Sequence, residues 1–126
     1  MSACARTVLI VEDDSDTRNA LAEVLEDGAY RPLTASNGKA ALEQLRAATL
    51  APCVILLDVM MPEMDGRQFR EEQQKDPVLR EIPVVVLSAH ADGLTAAQQM
   101  QAAGFLNKPV ELKDLLRIIE IYCDRD

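Results

Sequence analysis

The segment Val54-Ile55-Leu56-Leu57-Asp58 is a run of four apolar residues that ends on a carboxylate. A continuous run of valine, isoleucine and leucine is typical of a strand buried on both faces of a parallel sheet. Three other strand-like runs also end on polar residues: 8–11 before Glu12 and Asp13, 84–87 before Ser88, and 105–107 before Lys108. If all four runs are parallel strands of one sheet, these side chains converge at one edge, which is the predicted functional site.

Helix-like and strand-like segments alternate along the chain. The predicted strands are 7–11, 30–35, 53–57, 84–87 and 105–107, and the predicted helices are 15–27, one that opens at Asn37-Gly38, 66–75, about 93–103, and 111–123. Strands that alternate with helices in this way pair in parallel, and right-handed crossovers leave essentially one economical arrangement. The pattern therefore predicts an α/β fold: an open, doubly wound, five-stranded parallel sheet with helices on both faces.

Length, composition and charge limit what the protein can be. With 126 residues, the chain is expected to form a single domain over 1–126, with a core of about 7–123 and no output domain. A net charge of −8 opposes direct binding to nucleic acid, which depends on clustered lysine and arginine. No apolar run approaches the ~20 residues of a membrane span. Residues 1–6 also lack a signal-peptide core, so we expect a cytoplasmic protein that binds no membrane.

The three cysteines give a further expectation. Cys4, Cys53 and Cys123 are odd in number, widely spaced and without a metal-ligand pattern. They are therefore expected to be reduced thiols.

The predicted site combines three carboxylates with a hydroxyl and an ammonium group. Glu12, Asp13 and Asp58 would lie several ångströms apart, and like charges about 5 Å apart repel by roughly 3 kcal/mol at an effective dielectric of ~20. Such a cluster needs raised pKa values or a bound cation, and ligands that are all oxygen favour Mg²⁺. Ser88 and Lys108 can then surround the oxygens of a phosphoryl group in transfer. Asp58 is the candidate nucleophile, because attack by a carboxylate on phosphorus gives an acyl phosphate.

Four segments of the chain resemble the motifs of one protein family. They are Val11-Glu12-Asp13-Asp14, residues 57–66 (LDVMMPEMDG), residues 82–89 (IPVVVLSA) and Lys108-Pro109. In order and spacing they are similar to the receiver domain of bacterial response regulators, over about residues 7–122. The resemblance implies the chemotaxis-regulator-like, flavodoxin-like fold with strand order 2-1-3-4-5. It also implies a role in a two-component phosphorelay, in which a histidine kinase or a histidine phosphotransfer protein is the donor.

The same resemblance implies how the metal and the phosphoryl group would be bound. Asp58 would be the phosphoacceptor, Asp13 a direct Mg²⁺ ligand and Glu12 a ligand through water. Met60 would contribute its backbone carbonyl to the metal. Residues two past the phosphoacceptor and two past the hydroxyl tune hydrolysis in the family, and here these are Met60 and His90. The apolar Met60 predicts slow self-dephosphorylation.

The resemblance also implies a conformational switch. Ser88 and Lys108 would hold phosphoryl oxygens, and the Lys108-Pro109 bond would be cis. Ser88 would be drawn toward the phosphoryl group, which leaves space for the Phe105 ring to rotate inward. The signal would then reach a downstream protein, or an attached output or kinase domain, through the face formed by the fourth helix, the fifth strand and the fifth helix.

The last helix suggests where a partner would bind. One stripe of the helix is predicted to lie in the core: Leu112, Leu115, Leu116, Ile119, Tyr122 and Cys123. Ile118 and Ile121 fall outside this stripe. They make this face a candidate surface for homodimerisation or for binding a target, although scattered exposed apolar residues are also common.

Simpler interpretations remain for several of these residues. Asp14 is expected to cap the first helix, His90 could be an exposed loop residue, and Phe105 could be a buried core aromatic. The polar residues 70–75 stand where the family usually buries leucine, so the third helix is expected to be short or loosely packed.

Three rival functions are compatible with an α/β fold of this kind. A flavin-binding site is disfavoured because acidic residues follow the first strand, where phosphate would need glycine and hydroxyl groups. An aspartyl phosphatase is disfavoured because such enzymes usually have two aspartates that flank one residue after the first strand, and Glu12-Asp13-Asp14 does not show this spacing. An interaction scaffold that works without phosphorylation remains open.

Overall fold

Five parallel strands form a single sheet in the order β2-β1-β3-β4-β5. The computed structural model describes residues 6–48, 51–61, 64–89 and 93–123. The strands are β1 (Thr7–Val11), β2 (Arg31–Ala35), β3 (Val54–Asp58), β4 (Val84–Ser88) and β5 (Gly104–Asn107). The helices are α1 (Ser15–Asp27), α2 (Gly38–Ala47), α3 (Gly66–Lys75), α4 (Gly93–Gln99) and α5 (Leu112–Cys123), with a short 3₁₀ turn at Leu79–Glu81. The predicted fold class and strand order are confirmed.

The alternation of side chains along each strand divides the core into two layers. Leu9 and Val11 of β1 face the layer beneath α2, α3 and α4, whereas Val8 and Ile10 face the layer beneath α1 and α5. All five residues of both β3 and β4 are buried, as expected for central strands covered on two sides. The central strands therefore provide a rigid base for the polar residues at their carboxyl ends.

Helix α3 differs from the expectation of a short or loosely packed helix. It has ten residues and begins with a capping box, in which Asp65 accepts from the Gln68 backbone N–H and the Gln68 side chain accepts from that of Asp65. Gln73 is fully buried, and its amide donates to the carbonyls of Leu79 and Ile82 over 2.8 and 3.0 Å. The buried amide of Gln73 is thus satisfied by backbone carbonyls that the sequence pattern does not reveal.

Helix α4 is shorter than predicted. It ends at Gln99, not at residue 103, and Gln101 adopts a positive φ of 54° just after it. Arg70 of α3 donates to the carbonyl oxygens of Met100 and Gln101 over 2.8 and 2.7 Å. These bonds satisfy carbonyls at the end of the helix, where no further helical turn can do so.

Two other predictions about single residues are wrong. Leu112, assigned to the core stripe of the last helix, is 55% exposed because it precedes the turn at which α5 reaches the sheet; the first fully buried residue is Leu115.

The prediction that the cysteines are reduced thiols is wrong for Cys53, which is disulfide-bonded, whereas Cys123 is a buried thiol. An odd number of cysteines leaves at least one without a disulfide but does not exclude one bond.

Within the described ranges, no helix combines the length and the hydropathy that a membrane span requires.

Candidate functional site

The carboxyl ends of three neighbouring strands meet in one cleft, as the sequence predicts. Asp58 is the last residue of β3, Ser88 is the last of β4, and Glu12 directly follows β1. Lys108 directly follows β5, and its backbone N–H donates to the Ser88 carbonyl over 2.8 Å. The cleft has a volume of about 200 Å³, and its walls are Glu12, Asp13, Asp14, Asp58, Val59, Met60, Ser88, Ala89 and Lys108.

The three predicted carboxylates lie close together but differ in burial. One carboxylate oxygen from each of Glu12, Asp13 and Asp58 lies within 4.8 Å of the other two. Glu12 is fully buried and Asp58 is 5% exposed, whereas Asp13 is exposed to solvent. Burial raises the pKa of Asp58 to about 7, and the hydrogen bond and negative charge of Glu12 add to this shift. The Lys108 ammonium and the Met60 N–H oppose it.

Lys108 neutralises part of this negative charge. Its Nζ lies 2.5 Å from Glu12 Oε1 and 3.3 Å from Asp58 Oδ1. Burial opposes the charge on Lys108, but the two carboxylates outweigh it and raise the pKa of the ammonium above its ordinary value. Glu12 Oε1 is buried without a well-directed hydrogen bond among the described groups, so its contact with Lys108 is chiefly an ion pair.

These residues fit a hard divalent cation. The donors that converge within 4.8 Å are carboxylate oxygens of Glu12, Asp13 and Asp58, and Lys108 is the one ammonium among the residues that line the cleft. Two of the carboxylates sit at the ends of buried strands, so they cannot separate to relieve their repulsion. An ion such as Mg²⁺ suits this donor set, because it takes one or two carboxylates and keeps several waters.

Asp14 lines the cleft, but its carboxylate caps the first helix, α1, as predicted. Its Oδ2 accepts from the Thr17 backbone N–H over 3.0 Å and from the Thr17 hydroxyl over 2.5 Å. These hydrogen bonds hold the pKa of Asp14 below its usual value. Asp14 is therefore the N-cap of the helix.

The loop after β3 is held close to the sheet. The Met60 N–H donates to Asp58 Oδ1 over 3.3 Å, and the Met60 side chain is 64% exposed at the rim of the cleft. A Cβ at Gly66 would lie 2.6 Å from the Asp58 carbonyl oxygen. Because only glycine allows this approach, Gly66 fixes the path of the loop that carries Met60.

Phe105 does not enter the cleft. It pairs with Val86 in the register of β4 and β5, is partly buried, and packs against the core layer beneath α4. Gly93 connects it with Ser88: a Cβ at Gly93 would lie 3.1 Å from Ser88 Cβ and 3.5 Å from Phe105 Cδ2. The start of α4 therefore lies against both proposed switch residues. The other predicted tuning residue, His90, lies outside the described residues.

Two features of the site were not predicted from the sequence. Arg18 Nη1 donates to the carbonyl of Glu12 over 2.8 Å and to that of Asp13 over 3.4 Å. Gly93 was predicted to start a helix, but its contact with Ser88 was not expected. The Lys108-Pro109 peptide bond is cis, as predicted.

Comparison with known sequences connects this geometry to a family. The sequence profile of the response regulator receiver domain matches residues 8–120. An uncharacterised 14.6 kDa protein of Leptolyngbya boryana is 35% identical over 118 residues, which cover 92% of this chain and 88% of that protein. The phosphate regulon transcriptional regulatory protein PhoB of Escherichia coli (strain K12) is 32% identical over 92% of this chain. The match covers 51% of PhoB, so the chain spans about half the length of this relative.

Comparison with solved structures gives the same result. The Vibrio cholerae chemotaxis protein CheY4 superposes with a TM-score of 0.82 at 27% sequence identity. The superposition covers 92% of this chain and 97% of CheY4.

Proposed function

This chain belongs to the response regulator receiver domain family, and we propose that it accepts a phosphoryl group on Asp58 from a phosphohistidine. The donor would be a histidine kinase or a histidine phosphotransfer protein. The observation that carries the proposal is the position of Asp58 in a cleft with two other carboxylates, where the Lys108 ammonium lies 3.3 Å from its Oδ1. A carboxylate at the end of a rigid strand, beside a fixed positive charge, is suited to attack on phosphorus.

The transfer replaces one bond to phosphorus with another. A carboxylate oxygen of Asp58 forms the new P–O bond, while the P–N bond to the donor imidazole breaks and the imidazole leaves with the electron pair. Asp58 must be ionised to attack, yet its pKa lies at about 7 in the metal-free protein. Glu12, Asp13, Asp58 and the Met60 carbonyl would hold Mg²⁺, which when bound supplies positive charge that favours the ionised carboxylate.

Lys108 and Ser88 would bind the phosphoryl oxygens. Lys108 already contacts Asp58, and its carboxylate partners keep it charged. Ser88 lies at the end of the adjacent strand and lines the same cleft. The Lys108 ammonium therefore needs little reorganisation as charge develops on the phosphoryl group, whereas the Ser88 hydroxyl would move toward it.

The protein would promote its own phosphorylation and slow dephosphorylation and would not be a turnover enzyme. Hydrolysis of the acyl phosphate needs a water molecule that is oriented toward phosphorus. The exposed thioether of Met60 stands at the rim of the cleft and is a poor hydrogen-bond partner for such a water. We therefore expect a long-lived phosphorylated state.

The surface formed by α4, β5 and α5 would transmit the signal to a protein partner. A groove of about 440 Å³ runs between β5 and α5, and it is lined by Phe105, Leu106, Asn107, Pro109, Glu111, Asp114, Arg117, Ile118 and Ile121. Ile121 is 57% exposed there, and Ile118 is partly buried. Phe105 lines this groove, and Gly93 lies against both Phe105 and Ser88. A movement of Ser88 can therefore alter the position of the Phe105 ring in the groove. A second copy of the chain or a downstream protein would bind at this surface.

Intact-protein mass measurement with acetyl phosphate tests the phosphoacceptor role. Wild-type protein should gain the mass of one phosphoryl group in the presence of Mg²⁺ and much less without it. Asp58→Asn should gain none, whereas Asp16→Asn, which changes an exposed aspartate of α1 in the same way, should react like the wild type. Failure of the wild type to react would favour an interaction scaffold that works without phosphorylation.

A further inference from the structure

Arg18 ties α1 to the acidic loop that follows β1. One of its nitrogens, Nη1, donates to the backbone carbonyl of Glu12 over 2.8 Å and to that of Asp13 over 3.4 Å. These carbonyls belong to two of the three carboxylate residues of the proposed metal site. The contact therefore fixes the part of the backbone from which both side chains extend.

The rest of the loop explains why this contact is needed. Glu12 is anchored from both sides, because its N–H donates to the Ala35 carbonyl over 3.0 Å and its Oε2 accepts from the Asp14 N–H over 3.3 Å. Asp13, by contrast, is exposed, so packing does little to set the direction of its carboxylate. The orientation of Asp13 then depends chiefly on the backbone that Arg18 holds.

We infer that Arg18 is a positioning residue of the metal site, which holds the Glu12–Asp13 backbone so that the Asp13 carboxylate converges with those of Glu12 and Asp58. The inference rests on the proposed function, because it concerns the same Mg²⁺ site. Arg18 would not itself be a metal ligand. It acts through the two carbonyls that it binds.

The sign of one measurement separates this role from a simple charge effect. Arg18 carries a positive charge close to a cation site, so its charge alone opposes Mg²⁺ binding. If charge were its main contribution, Arg18→Gln would bind Mg²⁺ more tightly than the wild type. If Arg18 positions the loop, the same variant should bind Mg²⁺ more weakly, because residues that orient metal ligands commonly change affinity by about 10-fold or more.

Calorimetric titration with Mg²⁺ alone is the first test. Arg18→Gln should show a dissociation constant about 10-fold higher than the wild type. The control is Arg46→Gln, which removes the same charge from an exposed position in the last turn of α2, at the opposite edge of the sheet. An Arg18→Gln protein that binds Mg²⁺ as tightly as the wild type, or more tightly, would overturn the inference.

Hydrogen exchange without metal is the second test, and it does not depend on the proposed function. The Asp14 amide donates to Glu12 Oε2, so its exchange rate reports the order of the loop. In metal-free protein this amide should exchange faster in Arg18→Gln than in Arg46→Gln. Equal rates would overturn the positioning role. Failure of the wild type to bind Mg²⁺ would instead contradict the proposed function, and the exchange comparison would still decide the role of Arg18.

Discussion

Lys108 Nζ lies 2.5 Å from Oε1 of the fully buried Glu12, closer than the 3.3 Å that separates it from Asp58 Oδ1. The lysine therefore has a structural partner in addition to its proposed role toward the phosphoryl group. Taking one charge from a buried pair leaves the other uncompensated, which costs more than the pair itself contributes.

Replacing Lys108 should consequently destabilise the protein. We expect Lys108→Met to lower the free energy of unfolding by about 2–3 kcal/mol, less than for a fully buried pair because Lys108 is partly exposed. Chemical denaturation measures this change. Adding Glu12→Gln should recover most of the loss, and Lys113→Met, at an exposed lysine of α5, should have little effect. Additive losses in the double variant would show that the two residues are not coupled.

The raised pKa of Asp58 predicts how stability depends on pH in the metal-free protein. The carboxyl titrates at about 7 in the folded chain, against an ordinary value of 3.8. Between these values the folded state holds a proton that the unfolded state has lost, so the free energy of unfolding falls as pH rises from about 4 to about 7. Asp58→Asn removes this dependence.

The variant should therefore become more stable than the wild type as pH rises through this window, by about 1–3 kcal/mol at pH values above about 7. Denaturation curves at several pH values, recorded with a chelator, measure the difference. Parallel stability profiles for Asp58→Asn and the wild type would contradict the shifted pKa.

Met60 should control the lifetime of the phosphorylated state. Met60→Gln places a polar group that can orient water at the rim of the cleft, so we expect dephosphorylation to be about 10-fold faster. This is less than the roughly 100-fold or more of general acid–base catalysis, because an amide orients water without taking its proton. Met60→Leu keeps an apolar side chain and serves as the control. The decay of the phosphorylated mass after removal of acetyl phosphate gives both rates. A wild-type half-life of seconds would contradict the prediction of slow self-dephosphorylation.

Arg70 should hold the end of α4 in place. Its three hydrogen bonds reach the carbonyls of Met100 and Gln101 and the side chain of Gln73. Arg70→Met removes all three hydrogen bonds and leaves the two partly buried acceptors, the Met100 carbonyl and Gln73 Oε1, without this donor, and we expect a loss of about 2–3 kcal/mol in the free energy of unfolding. Faster amide exchange should be confined to residues 96–104. Arg67→Met, which removes one exposed hydrogen bond to Gln99, should cost less than about 0.5 kcal/mol; an equal cost would show that Arg70 has no special role.

The fold and the centre of the site could be predicted because their signals lie in consecutive residues. Buried strands appear as apolar runs, and in parallel strands the residue that ends each run must lie at the same edge as the others, which brought Glu12, Asp58, Ser88 and Lys108 together. The cis form of the Lys108-Pro109 bond was implied by the resemblance to receiver domains, and it is a form that only a bond before proline adopts at low cost.

Several details that escaped prediction depend on hydrogen bonds from side chains to backbone carbonyls. Arg18, Arg70 and Gln73 all donate to carbonyl oxygens, which every residue possesses and which therefore leave no pattern in the sequence. Helix α4 ends early, next to the left-handed backbone of Gln101. Such a conformation is expected from the sequence at glycine but not at glutamine. Leu112 fits the apolar stripe of α5 by spacing, but spacing does not tell where a helix first meets the sheet.

Chemical identification of the modified residue decides whether Asp58 carries the phosphoryl group. An acyl phosphate is reduced by borohydride, which converts a phosphorylated aspartate into homoserine and leaves an unmodified aspartate unchanged. After treatment with acetyl phosphate and Mg²⁺, followed by borohydride, peptide mass analysis should find homoserine at position 58 and aspartate at positions 13, 14 and 16. Homoserine at another position, or unmodified Asp58 in protein that has gained a phosphoryl group, would contradict the assignment of Asp58 as the phosphoacceptor.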